Sequence, residues 1–354
     1  MTSAPVGNVI EVTGLCKAFG PQKVLDGIGF EVPAGTVFSL LGPNGAGKTT
    51  TVQILTTLIP ADAGQIRIAG FDPVKQAKSV RAAIGVTGQF SAVDKLLTGR
   101  ENLQLMADLA HLGKQGGRAR TSELLERFDL VDAAGKPAAT YSGGMKRRLD
   151  LAMSLMGRPA VIFLDEPTTG LDPRSRRTMW QIVKELVDEG TTIFLTTQML
   201  DEADHIADRI ALLDGGKLVA SGSPADLKKL VPGGYVTLSF ADPHSLDAAL
   251  GILGDLKCDR EQLSVDVPND GSLAAVKGLL DRFEGTSVEV DNLAIHSPDL
   301  DDVFFALTGR SAERSGEQTD AVATEKAAES AAEKAEESAD PKSDEQAETE
   351  KATI

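Results

Sequence analysis

Between a short apolar run at 36–41 and a Thr-rich run at 49–58, the chain reads Gly42-Pro43-Asn44-Gly45-Ala46-Gly47-Lys48-Thr49. The apolar run predicts a buried strand, and the Thr-rich run (TTTVQILTTL) predicts a helix. A strand that breaks into glycines and resumes as a helix turns consecutive backbone N–H groups into one concavity, with the positive end of the helix dipole behind them. Glycine lets the backbone wrap that closely. The spacing G-x-x-x-x-G-K-[ST] adds a lysine that reaches the β- and γ-phosphates of a nucleoside triphosphate, and a hydroxyl for its metal ion. Lys48 and Thr49 stand at those two positions. The bland alternative, a glycine-rich turn beside a chance lysine, is disfavoured by the strand and helix on either side. Alone, the loop implies triphosphate binding and nothing about its use.

A hydrolytic site also needs carboxylates. Val161-Ile162-Phe163-Leu164 is an apolar strand that ends in Asp165-Glu166-Pro167. Asp165 is placed to hold Mg²⁺, directly or through water, and Glu166 to polarise an attacking water. Such a strand end means little by itself; coupled to the loop, it turns a binding site into a hydrolytic one.

Around these motifs, alternation predicts strands at 8–13, 24–32, 65–69 and 84–87. Helical periodicity follows at 99–110, 122–128 and 149–156, a helix-rich insertion at about 90–158. The parallel-sheet rhythm then resumes, with strands at 161–164, 191–195 and 209–213 and helices at 174–188 and 201–207. Asp172-Pro173 and Ser223-Pro224 read as N-caps with proline in the first turn. The prediction is an α/β P-loop NTPase domain over 1–230 with crossover helices and a helical insertion. Strands at 235–240, 263–267 and 287–290, with helices at 245–253, 273–283 and 298–307, predict a small α+β C-terminal domain of βαβαβα type over 231–309. The segment 310–354 is Ala, Glu, Lys, Ser and Asp with few large apolar residues, and it is expected to be a disordered acidic tail.

The net charge of −16 argues against a nucleic-acid binder, although half of it lies in residues 311–354, with 13 acidic and 5 basic residues. No apolar run approaches the roughly 20 residues of a membrane helix, and 1–12 lacks the pattern of a secretory signal. If the protein works at a membrane, it does so from the water side. Cys16 and Cys258 read as ordinary thiols of a reducing compartment, and His111, His205, His244 and His296 form no ligand spacing.

Five further motifs join the loop and the carboxylates in order. They are Lys17-Ala18-Phe19-Gly20, Thr87-Gly88-Gln89-Phe90, Tyr141-Ser142-Gly143-Gly144-Met145, Gly170-Leu171-Asp172 and Thr197-Gln198. With them, residues 10–230 resemble an ABC-transporter ATPase. The resemblance implies an ABC cassette with ATP and Mg²⁺ as its ligands. Phe19, which by position alone reads as core, would stack on adenine. The phosphates would lie on Gly42, Pro43, Asn44, Gly45, Ala46, Gly47, Lys48, Thr49 and Thr50. Mg²⁺ would be held by Thr49, Asp165 and Gln89, and Gln89 would also join the core to the helical insertion. Catalysis would fall to Glu166, Lys48 and Gln198.

Ser142, Gly143 and Gly144 make a second anion-binding helix end. It has a use if two copies dimerise head to tail, each offering this end to the γ-phosphate on its partner's loop. Gly170-Leu171-Asp172 would cross that dimer interface. Met145 replaces the usual Gln, and Gln198 replaces the usual His. The amide of Gln198 still donates a hydrogen bond but carries no charge, so slower or differently regulated hydrolysis is open.

Within the family, Thr87 to Asp94, Leu97 to Asn102, Tyr141 to Leu149, Thr196-Thr197-Gln198 and Leu300-Asp301-Asp302-Val303-Phe304 resemble the daunorubicin/doxorubicin-resistance type. That resemblance implies a homodimer at the cytoplasmic side of the cell membrane, paired with a separate permease and exporting drugs or lipids. Alternatives are the ATPase of another export system for polysaccharide or lipid, an importer, or a low-turnover regulatory cassette. One signature and no sustained heptads disfavour the ABC proteins that act on ribosomes or DNA. Lys146-Arg147-Arg148 reads first as a solvated helix face, with an anionic-lipid reader or an interface patch as alternatives. Phe304, Phe305 and Leu307 read as core or a dimer contact.

Overall fold

The computed structural model describes residues 7–309 except 89, 90, 232, 233, 255, 257, 270, 271, 287 and 297. The chain opens with two twelve-residue strands, β1 (Asn8–Phe19) and β2 (Gln22–Pro33), paired as an antiparallel hairpin. Sequence alternation predicts only their first or central parts. Gly14 and Gly27 explain the difference, because both have positive φ (63° and 71°) and the ladder shifts register beside Gly14. A bulge carries the strand on while breaking its period-2 pattern. Next come β3 (Val37–Leu41), wholly buried, then α1 (Lys48–Leu55) and β4 (Ala63–Ile68). β4 pairs with β1, giving a three-stranded sheet of order β2-β1-β4.

A short helix α2 (Ala77–Ala83), which periodicity does not reveal, leads into β5 (Ile84–Thr87). Three helices follow: α3 (Gly99–Leu109), α4 (Gly113–Arg127) and α5 (Gly143–Ser154). Thr98 and Glu101 close a reciprocal capping box at the start of α3. α4 begins well before the predicted 122–128, since its first half (GKQGGRAR) has no apolar period to read. Leu103, Leu124, Leu125, Phe128, Leu149 and Met153 from these helices share one buried cluster.

The chain then returns through β6 (Val161–Asp165), α6 (Pro173–Asp188), β7 (Thr192–Thr197), α7 (Leu200–Ile206), β8 (Arg209–Asp214) and β9 (Lys217–Gly222). The main sheet has the order β5-β6-β7-β3-β8-β9, parallel except for β9 at one edge. Every residue of β3, β6 and β7 is buried, as expected of parallel strands covered on both faces. Phe38, Phe163 and Phe194 lie on neighbouring strands of this core, with Phe30 of β2 stacked on Phe38 at 5.2 Å between ring centroids. The register sets Leu41 beside Thr197 and Asp165 beside Thr196. Three strand ends therefore meet at the carboxyl edge of the sheet, where α/β folds bind their ligands.

After α8 (Pro224–Lys228), β10 (Tyr235–Ser239), α9 (Pro243–Leu253), β11 (Cys258–Asp259), β12 (Ser264–Pro268), α10 (Leu273–Leu280) and β13 (Asn292–His296) form a second layer pair. Its antiparallel sheet runs β11-β12-β10-β13. Val236, Leu238 and Val265 of the sheet are buried with Leu246, Ala249 and Leu279 of α9 and α10. The last strand lies at Asn292–His296 rather than at 287–290. Helix α11 (Leu300–Thr308) leaves this sheet, and its Leu300, Val303 and Phe304 are buried with Leu41, Ala203, Ile210, Leu212 and Leu227. Phe305 remains 54% exposed. The predicted tail at 310–354 lies outside the described residues.

Candidate nucleotide site

The loop after β3 is built on contacts that only glycine permits. A Cβ on Gly42 would lie 2.2 Å from the Leu213 carbonyl oxygen, and one on Gly47 would lie 2.6 Å from Leu25 Cδ2. Gly47 also has φ +110°, outside the range of an L side chain. Helix α1 starts at Lys48, and its first-turn N–H groups have no helical acceptor behind them. Lys48 is 4% exposed and folds back over the loop. Its Nζ donates to Gly42 O at 2.8 Å and Pro43 O at 3.1 Å, and it lies 3.6 Å from Glu166 Oε1. Burial lowers its pKa from 10.5, opposed by the charges of Glu166 and Asp165. A phosphate arriving in the loop offers this ammonium a better partner than two carbonyls.

From the other side, Asp165 Oδ1 accepts from Thr49 Oγ1 at 3.5 Å and from Thr196 Oγ1. Thr49 and Asp165 thus present two hard oxygens at the mouth of the loop. That donor set fits Mg²⁺, which keeps several waters and takes phosphate oxygens as further ligands. One residue on, Glu166 has φ +48°, an uncommon conformation for a residue with a side chain. Its N–H bonds Thr196 O at 3.1 Å, and its Oε2 accepts from Thr169 Oγ1 at 3.3 Å. The turn out of the strand at this residue brings its carboxylate to Lys48. The glycine loop, the Thr49–Asp165 pair and the Glu166 carboxylate therefore share one edge of the sheet.

The description of the ABC transporter family matches residues 25–169. The chain is 44% identical to the daunorubicin/doxorubicin resistance ATP-binding protein DrrA of Streptomyces peucetius, over 87% of this chain and 95% of that one. It is 46% identical to the daunorubicin resistance ATP-binding protein DrrA3 of Streptomyces coeruleorubidus, over 85% and 96%. The chain belongs to the daunorubicin/doxorubicin-resistance branch of the ABC transporter ATP-binding proteins. Among solved structures, the ATP-binding subunit of an ABC transporter superposes with a TM-score of 0.57 at 28% identity, covering 63% of this chain and 92% of that one. This ABC cassette binds ATP and hydrolyses it in the service of transport. ATP-binding subunits of ABC exporters pair with a separate transmembrane component. Among the described residues no helix of this subunit is long and apolar enough to cross a membrane.

The other family motifs of the cassette fall in two groups. Phe19 ends β1 and is 51% exposed, which overturns the reading of it as core. Lys17 Nζ lies 5.4 Å from its ring centre. The same hairpin carries Leu25 against Gly47, so an open aromatic face stands on the element that abuts the loop. Gln198 is half-buried, directly after Thr197 at the end of β7. Gln89 lies outside the described residues. Ser142 caps α5, accepting from Met145 N at 3.2 Å. A Cβ on Gly144 would lie 2.6 Å from Ser175 Oγ, so the signature packs against the start of α6. Asp172 caps that helix through the N–H groups of Arg174 and Ser175, both at 3.0 Å. Among the described residues no hydrogen bond joins Ser142, Gly143 or Gly144 to the loop 42–49 of the same chain.

The solvated-face reading of Lys146-Arg147-Arg148 is overturned for the two arginines. Arg147 is 11% exposed in its side chain and pairs with buried Asp150, while Arg148 donates to Phe128 O at 2.8 Å. Sequence reading also missed Glu202, which is buried and accepts from Thr168 Oγ1 at 2.8 Å and from Nε1 of Trp180 at 3.1 Å. It thereby ties the segment after Glu166 to α7 beyond Gln198. An acidic residue at a helix start normally signals solvent, so composition gave no warning.

Burial raises the Glu202 pKa from 4.5, opposed by its hydrogen bonds. A raised folded-state pKa favours folding below the unfolded value and loses that benefit as pH rises through the folded one. Glu202→Gln keeps an acceptor without the charge. Its melting temperature relative to wild type is expected to climb as pH rises above the ordinary carboxylate range, measured by calorimetry. A constant difference would place the titration elsewhere.

Proposed function

We propose that this ATPase powers a drug exporter from the cytoplasmic side of the cell membrane. Two copies close head to tail over two ATP molecules and drive a separate permease. The observation that carries the energetic half is the meeting of the 42–49 loop, Asp165 and Glu166 at one edge of the main sheet. The cargo class follows from the near full-length likeness to proteins named for daunorubicin and doxorubicin resistance.

The roles implied by the family resemblance fit this geometry. The loop N–H groups and Lys48 bind and orient the β- and γ-phosphates, with Phe19 against the adenine. Thr49 and Asp165 would hold Mg²⁺, which supplies charge to neutralise the phosphate oxygens. Glu166 orients a water and takes its proton. Gln198 donates to the γ-phosphate, and the partner's signature end closes the site from the other side.

The test is export. Cells expressing the chain with its permease should lose accumulated daunorubicin faster than cells carrying Glu166→Gln. Equal efflux from both would refute the proposal. Gln198 supports one variant reading, a cassette of low turnover. Phosphate release by Gln198→His faster than wild type would favour that reading.

A further inference from the structure

We propose that Arg147 and Asp150 form a positioning pair that locks the signature end of α5 to the catalytic end of β6 in the same protomer. What the signature meets would thereby set the geometry at that protomer's own Glu166. The inference rests on the reading that Ser142, Gly143 and Gly144 meet the partner's nucleotide.

The pair sits one turn into α5, on the helix that Ser142 caps. Arg147 Nε donates to Pro167 O at 2.7 Å, and Nη2 donates to Asp165 O at 3.2 Å and to Glu166 O at 3.3 Å. Nη1 reaches Gly88 O at 3.0 Å and Asp150 Oδ2 at 3.4 Å. Asp150 Oδ1 in turn accepts from Ala92 N at 3.1 Å. One guanidinium thus holds three consecutive carbonyls through the residue that carries the catalytic carboxylate. These carbonyls lie at and beyond the end of β6, where the sheet ladder gives out. With its partner, the guanidinium also holds the backbone at Gly88 and Ala92.

Two physical arguments give this arrangement a purpose beyond packing. Asp150 is 3% exposed in its side chain, and a buried ion pair seldom adds stability over apolar groups of the same volume. Its attested value lies in fixing one geometry among several. The planar fork of arginine has that directional property, whereas the ammonium of lysine does not. An α-helix is also a stiff lever. A small tilt at Gly143 is carried to Arg147 one turn later, and from there to the Glu166 backbone.

The test uses the full chain with three variants. Arg147→Met with Asp150→Leu removes both charges and strands neither. Arg147→Lys keeps the charge but not the fork. Ser142→Arg blocks the signature. The readouts are melting temperature, binding of a fluorescent ATP analogue, and phosphate release against ATP concentration. The double variant is expected to bind nucleotide and keep its KM within about twofold, while kcat falls by about 100-fold, as for a misplaced catalytic group. Arg147→Lys should fall between it and wild type. Ser142→Arg should bind nucleotide and lose turnover.

Wild-type kcat in the double variant, with Ser142→Arg inactive, would overturn the positioning role and leave the dimer reading standing. Wild-type turnover in Ser142→Arg would sink the dimer reading and this inference with it. A fall in melting temperature with KM and kcat degraded together in Arg147→Lys would reduce the pair to a structural one.

Discussion

Glu166→Gln is expected to bind ATP as well as wild type or better, and to turn it over some 10²- to 10⁴-fold more slowly, the usual worth of a positioned general base. The substitution is nearly isosteric, so Thr169 still has an oxygen to donate to and the left-handed turn at Glu166 is undisturbed. What disappears is the proton acceptor. The wild-type carboxylate lies 3.6 Å from Lys48 Nζ and adds negative charge beside the place where the γ-phosphate must sit. Removing it weakens electrostatic opposition to ATP, so binding should hold or tighten while chemistry stops. Single-turnover phosphate release and nucleotide binding, measured on one preparation, separate the two effects. Turnover within tenfold of wild type would move the base to another residue.

The two halves of this site differed in how far sequence could reveal them. The 42–49 loop and the Asp165-Glu166 step were legible because each has a local cause. Close wrapping demands glycines, and a buried parallel strand demands an unbroken apolar run. Their meeting was inferable as well, because consecutive βα units deliver strand ends to a single edge.

Arg147, Asp150 and Glu202 were not legible. Charge in a helical segment reads as solvent-facing, and only the packing of α5 and α7 against β6 and α6 shows otherwise. Phe19 failed in the opposite sense: an aromatic at a strand end looks like core, yet it is half exposed on the hairpin beside the loop. The early start of α4 has a different origin: glycine-rich, polar sequence carries an element whose stability comes from neighbours rather than from its own period.

Lys48→Ala should cost more in binding than the loss of one ion pair to phosphate, because Lys48 also offsets the protein's own charge. With the ammonium gone, Glu166 and Asp165 face the incoming triphosphate from a site where Glu166 is 10% exposed in its side chain. Truncating one member of a buried charge pair costs about 2–5 kcal/mol, much of it the penalty on the charge left behind. ATP affinity is therefore expected to fall by roughly 30- to 4,000-fold at this energy. The stranded carboxylate makes the effect non-additive. In Lys48→Ala with Glu166→Gln, part of the lost affinity should return, since the repulsion has been removed along with the attraction. Titration calorimetry of the two single variants and the double variant closes the cycle. A double variant whose affinity equals the sum of the two single-variant changes would show that Lys48 acts on the phosphate alone and that its 3.6 Å approach to Glu166 is incidental.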